Sequence, residues 1–125
     1  MRAVMADILN EVYENIFLDT SYGLRSGRNY HDAIKELNRI IGRCKVSYVL
    51  EADIKEFFDN VDQKQLMEFT AHNIDDKNFS RYIARFLKSG TIEEGKYHKS
   101  DKGTAQSSPL SPILANIYLH YILDI

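Results

Sequence analysis

The sequence has no tryptophan, one cysteine and two prolines, and no apolar run approaches the ~18 residues that span a bilayer. The lone Cys44 excludes an internal disulfide. Its neighbours Ile40, Ile41 and Val46 predict a small, buried apolar residue rather than a nucleophile, in a reducing cytoplasm. The first residues lack the pattern of a signal peptide. No repeat, low-complexity segment or long linker interrupts the chain. His31, His72, His98 and His120 are scattered without metal-ligand spacing, so no chemistry is assigned to them.

What is present suits one domain, or one piece of a larger one: 125 residues, 44% hydrophobic and 27% charged, enough apolar material for a core. The net charge of −2 argues at first against a nucleic-acid partner. Its distribution says more. Residues 22–45 carry six basic and two acidic side chains, residues 51–76 two and eight, and residues 77–102 seven and three. A basic, acidic, basic order fits a cation site between two phosphate-binding surfaces, and it equally fits ordinary surface charge.

Hydrophobic spacing predicts a helix over residues 3–17, with Val4, Ile8, Val12 and Ile16 on one face. A loop with two glycines and two arginines follows. A second helix starts near Asn29, a good N-cap with Asp32 three positions on, and turns Ala33, Leu37, Ile40 and Ile41 inward before Gly42. Residues 46–54, rich in β-branched and aromatic side chains, are the best strand. Helices over 62–73 and 76–88 are capped by Asp62 and by Asp75 or Asp76, with Gly90 as a stop. Residues 91–99 suit a small hairpin turning at Glu94-Gly95, and residues 113–123 a buried helix entered through proline. The expected fold class is α+β: a mostly helical chain with a small, incomplete antiparallel sheet.

The acidic run after the strand is the most informative stretch. A carboxylate at a strand end is fixed in direction yet open to solvent, a good place for a metal ligand. Mg²⁺ wants near-octahedral oxygen ligands, and two-metal phosphoryl transfer needs carboxylates converging from separate elements. Asp53 is the candidate. Asp59 and Asp62 read better as turn and capping residues, and at least one of Phe57 and Phe58 is expected in the core.

Three motifs then resemble one family. Glu-Ala-Asp-Ile-Lys-Glu-Phe-Phe-Asp-Asn-Val-Asp over 51–62 resembles the first palm motif of group II intron reverse transcriptases (intron maturases). Gly-Thr-Ala-Gln-Ser-Ser-Pro-Leu-Ser-Pro-Ile-Leu-Ala-Asn-Ile-Tyr-Leu over 103–119 resembles their second palm motif. Ser-Tyr-Gly-Leu-Arg-Ser-Gly-Arg over 21–28, followed by His31-Asp32-Ala33, resembles their fingers motif.

The resemblance implies a fingers-like segment over 1–45 and a partial palm over 46–125. It implies Asp53 as the first metal-binding aspartate, with the Ile54 carbonyl completing a second ion's shell. Phe58 corresponds to the aromatic under the sugar of the incoming nucleotide, and Gln106 to the glutamine along the nascent base pair. Arg25 and Arg28 correspond to the fingers region that approaches the triphosphate, where a guanidinium suits phosphate. The implied activity is RNA-directed DNA synthesis in a bacterial cytoplasm, with Mg²⁺, template RNA, a DNA primer, deoxynucleoside triphosphates and intron RNA, and no membrane.

The family's Asp-Asp hairpin, thumb and maturase regions are not in this sequence, so the chain alone is expected to be inactive and to self-associate through uncovered surface. Leu24, Ser26, Gln63, Ala105 and Ser107 depart from the family's usual residues. Two alternatives remain: a non-catalytic RNA-binding module that assists splicing, and a Mg²⁺ nuclease using Asp53 and Asp59.

Overall fold

The computed structural model describes residues 2–55, 57–88, 91–93, 96–98 and 109–125. The described chain is helical. In order come α1 (Arg2–Glu14), α2 (Tyr30–Arg43), α3 (Phe57–Asn60), α4 (Gln63–Ala71), α5 (Lys77–Lys88) and α6 (Leu110–Leu119), which continues as a π-helical turn over His120–Asp124.

The caps follow from side-chain chemistry. Asn29 accepts a hydrogen bond from the Asp32 amide at 3.0 Å and Asp62 from the Gln65 amide at 3.1 Å, each satisfying a donor that the helix start leaves open. Asp76 does the same for α5, accepting from Asn78 at 2.8 Å and Phe79 at 3.1 Å. Pro109 precedes α6, where a missing amide hydrogen costs nothing. Gly90, expected as the stop of α5, lies outside the described residues.

The core gathers around α6. Leu110, Ile113, Leu114 and Ile117 are each at most 3% exposed, and at about 2 kcal/mol per fully buried aliphatic side chain they dominate the apolar burial. α1 and α4 pack on α6, and α5 packs on α4. From α1 the buried residues are Met5, Ala6, Leu9 and Tyr13. The expected stripe holds in its second half, where Val12 and Ile16 pack against the core, and is corrected in its first, where Val4 and Ile8 are exposed and Met5, Ala6 and Leu9 are buried instead. Aromatic rings continue the core, with Phe69 stacked on Tyr121 at 4.9 Å and Phe17 edge-on to His120 at 5.6 Å.

Three expectations fail outright. The α+β class with a small antiparallel sheet is overturned, because residues 45–54 are exposed and belong to no helix or strand. Tyr48 is 95% and Leu50 92% exposed, so strand propensity alone does not make a strand where no neighbour supplies the ladder. The paired strands among the described residues form one ribbon, Thr91–Glu93 against Lys96–His98, three residues per side, and Asp62 makes an isolated bridge. The expected turn at Glu94-Gly95 lies outside the described residues. Second, α2 buries no residue: Ile34, Leu37 and Ile41 are about half exposed, since nothing packs on that face. Third, Cys44 is exposed rather than buried, because it ends this same uncovered helix.

Candidate active site

Position by position, the three motifs meet on α6. The Asn116 amide nitrogen donates to the Gly23 carbonyl at 2.9 Å, holding the loop of the fingers motif. Two residues on, the Tyr118 hydroxyl accepts from the Asp62 amide at 3.5 Å and donates to Gln65 at 3.2 Å, while its ring lies 6.1 Å from that of Phe57. Asn116 and Tyr118 belong to the second palm-type motif, Gly23 to the fingers-type motif, and Phe57 and Asp62 to the first palm-type motif. One helix thus fixes all three relative to each other.

Arg25 is 5% exposed and sits under that loop. Its Nη1 donates to the Leu18 and Ser21 carbonyls, both at 2.8 Å. Nη2 donates to the Glu14 carbonyl at 3.2 Å and to Glu14 Oε1 at 3.0 Å, and Nε reaches Glu14 Oε2 at 3.5 Å. The guanidinium also lies 5.5 Å from the centre of the Phe17 ring. All five of its N–H groups are engaged inside the protein. A cation at the C-terminal end of α1 is favoured by the helix dipole, and it satisfies carbonyls that the helix end leaves open. Leu24 just before it has φ 54°, a left-handed conformation that costs a branched residue about 1 kcal/mol, and the bonds of Gly23 and Arg25 on either side hold it there.

Arg28 is more open. It pairs with Asp19 through Nη2 at 3.3 Å, donates from Nη1 to the Asp19 carbonyl, and lies over the Tyr22 ring at 5.5 Å. Gln63 donates from Nε2 to the Leu87 carbonyl at 3.0 Å, closing the end of α5.

Asp53 and Ile54 lie on the exposed extended segment, and Asp53 Oδ1 accepts from the Ile54 amide at 2.9 Å. The backbone of Phe58 and Asp59 belongs to α3, but their side chains lie outside what is described. Gln106, with Ala105 and Ser107, also lies outside the described residues. Among the described residues no three His, Cys, Asp or Glu side chains gather as metal ligands. Tested against Mg²⁺, this part of the molecule offers one carboxylate and one neighbouring carbonyl, short of an octahedral or two-ion set. The described residues do not fit such a centre by themselves. No helix among them is long and apolar enough to cross a membrane.

The sequence reading missed Asn116 and Tyr118 as the links between motifs, and it missed the internal role of Arg25. Neither link has a local signature: each joins residues more than fifty positions apart.

A family model described as reverse transcriptase (RNA-dependent DNA polymerase) matches residues 1–125. The chain belongs to this family. It is 43% identical over 113 residues to the group II intron-encoded protein LtrA of Lactococcus lactis subsp. cremoris, covering 90% of this chain and 18% of LtrA. It is 34% identical over 122 residues to a 91 kDa protein in the cob intron of Schizosaccharomyces pombe, covering 98% of this chain and 15% of that protein. Protein YkfC of Escherichia coli is 28% identical over 123 residues, with 96% of this chain and 32% of YkfC covered. This reverse transcriptase chain therefore spans less than a third of each of these relatives.

Proposed function

We propose that this chain is the fingers (1–45) and first palm (46–125) portion of an RNA-directed DNA polymerase of the group II intron type, acting in a bacterial cytoplasm on template RNA, a DNA primer and deoxynucleoside triphosphates. The observation that carries the reading is the junction on α6, where Asn116 and Tyr118 tie the fingers-type and first palm-type motifs together. In that frame Asp53 and Ile54 are the metal-facing residues, Phe58 and Gln106 flank the nucleotide, and Arg28 approaches its phosphates. Arg25 acts as a positioning residue that holds the Arg28 loop from below. The described residues bring no cluster of carboxylates to Asp53, which supports the reading that the chain by itself does not polymerise.

Primer extension on an RNA template tests both halves. The 125-residue chain gives no product, whereas the full-length polymerase bearing this segment extends and loses at least a thousandfold on Asp53→Ala. Undiminished extension by that variant refutes the role of Asp53. Extension by the isolated chain refutes its inactivity.

A second reading, a non-catalytic RNA-binding module that assists splicing of intron RNA, is supported by the exposed basic face of α5. The uncovered face of α2 and the extended segment after it also support self-association of the isolated chain.

A further inference from the structure

The fingers-motif arginines resembled the phosphate-facing groups, yet each is ion-paired within the protein, Arg25 with Glu14 and Arg28 with Asp19, as is Arg39 of α2 with Glu36. Lys77, Arg81 and Arg85 on α5 stand differently. Lys77, Arg81, Arg85 and Lys88 succeed one another at intervals of four, four and three residues, so they form one stripe about 16 Å long on a helix that contains no acidic residue. All four are exposed, while Ile83, Phe86 and Leu87 anchor the opposite face in the core. None of the ion pairs among the described residues involves Lys77, Arg81 or Arg85.

The stripe is not flat. Asn78, Arg81, Tyr82 and Arg85 line a concavity of about 330 Å³, with Tyr82 43% exposed between the two arginines. Two guanidinium forks beside an exposed ring and an amide offer both parts of a single-strand binding surface: charge for the backbone and a platform for a base.

We propose that the outer face of α5 is a binding site for unpaired RNA, in which Arg81 and Arg85 hold consecutive phosphates and Tyr82 stacks on an unpaired base. The site is sequence-tolerant, since a phosphate clamp and a stacking ring read no base edge. The helix packs on α4, and Ile83, Phe86 and Leu87 hold its inner side in the core, so the outer face is presented on a fixed support. The proposal rests on the RNA-handling reading above, and it adds the surface and the chemical class that surface takes.

Fluorescence anisotropy of the full 125-residue chain with a labelled oligouridine of about twenty nucleotides tests it, with circular dichroism confirming that each variant keeps its helices. Arg81→Gln with Arg85→Gln weakens binding at least tenfold and flattens the slope of log affinity against log salt by about 1.4, the value for two lost single-strand phosphate contacts. Tyr82→Leu weakens binding between about fivefold and a hundredfold with the salt slope unchanged, and it leaves binding to a blunt RNA duplex unaltered. Arg39→Gln with Arg43→Gln on α2 changes affinity less than threefold.

Affinity and slope unchanged in the α5 double variant overturn the proposal, as does failure of the wild-type chain to bind at low salt. Displacement of the RNA by oligoglutamate at equal charge concentration also overturns it, because the face then reads charge alone and suits an acidic protein. Each of these outcomes leaves the polymerase reading to the Asp53→Ala extension assay, so the two can fail independently.

Discussion

The Asn116 side chain and the Gly23 carbonyl, 93 positions apart in sequence, are joined by a hydrogen bond of 2.9 Å. The bond comes from the middle of the most buried helix and ends on a loop otherwise held by its own arginines. It conveys the rigidity of α6 to the fingers-type loop, whose Leu24 is held in a left-handed conformation. Removing it separates loop order from core stability. Asn116→Ala is expected to lower stability by about 0.5–1.5 kcal/mol, the worth of one such bond. Hydrogen exchange should accelerate at the amides of residues 24–28 while those of α6 stay protected. Equal protection of the loop in both proteins would show that Arg25 alone holds it.

Arg25 carries the larger share. Its guanidinium bonds Glu14, Leu18 and Ser21 at 2% side-chain exposure, so truncation takes a partner from three carbonyls and from the Glu14 carboxylate, of which Leu18 keeps the Ser21 amide. Arg25→Ala is expected to cost about 3 kcal/mol in urea unfolding, in the range for breaking a buried pair. Arg25→Lys should recover less than half of that, because an ammonium has three donors and no planar fork. A residue whose main work is on nucleotide phosphates would instead leave the unliganded chain's stability within about 0.5 kcal/mol.

How far these features were legible depends on whether the signal is local. The caps at Asn29, Asp62 and Asp76 were readable because a side chain and the amide it satisfies lie within three residues. The buried helix after Pro109 was readable because its apolar residues run all round. Burial of α2 and pairing of residues 46–54 were not, since both depend on what covers a face and no sequence period reports that. The α2 pattern is strongly amphipathic, yet the structure leaves its apolar side open. Arg25 shows the same limit at the site. The family resemblance implied a phosphate contact, and the internal partners of the side chain come from α1 and the turn after it, eleven and seven positions back.

Tyr13 gives the fold a dependence on alkaline pH. Burial pushes its phenol from the ordinary 10.0 up to about 12, partly opposed by the hydrogen bond from Asn73 and aided by the nearby Tyr121 hydroxyl. The neutral phenol is the form that the fold favours. Its contribution is therefore complete below pH 10, and it is lost as pH rises from 10 through 12, where the unfolded chain ionises first. The loss attributable to this group is up to about 2 kcal/mol. Other groups titrate in the same window, so the measurement is the difference between the parent chain and Tyr13→Phe across that range. The two unfolding curves should converge as the pH climbs. A constant gap would place the Tyr13 hydroxyl in water.

The face left open on α2 sets the last expectation. Ile34, Leu37 and Ile41 are each about half exposed along one side of the helix, and Val49 and Leu50 follow on an extended segment with unpaired edges. Such a surface invites another copy, because an extended segment can pair antiparallel with itself in a two-fold arrangement. The charges agree: Lys35 and Arg43 lie on α2, while Glu51 and Asp53 lie within the exposed stretch that follows it, so antiparallel copies bring opposite signs together. Sedimentation velocity of the isolated chain should show a coefficient that rises with concentration. Leu37→Glu with Ile41→Glu should abolish the rise without lowering the unfolding midpoint, since α2 contributes no buried residue to the core. A parent chain that stays monomeric at several hundred micromolar would contradict the expectation. A double variant that unfolds would instead mean that α2 packs on its own core in solution.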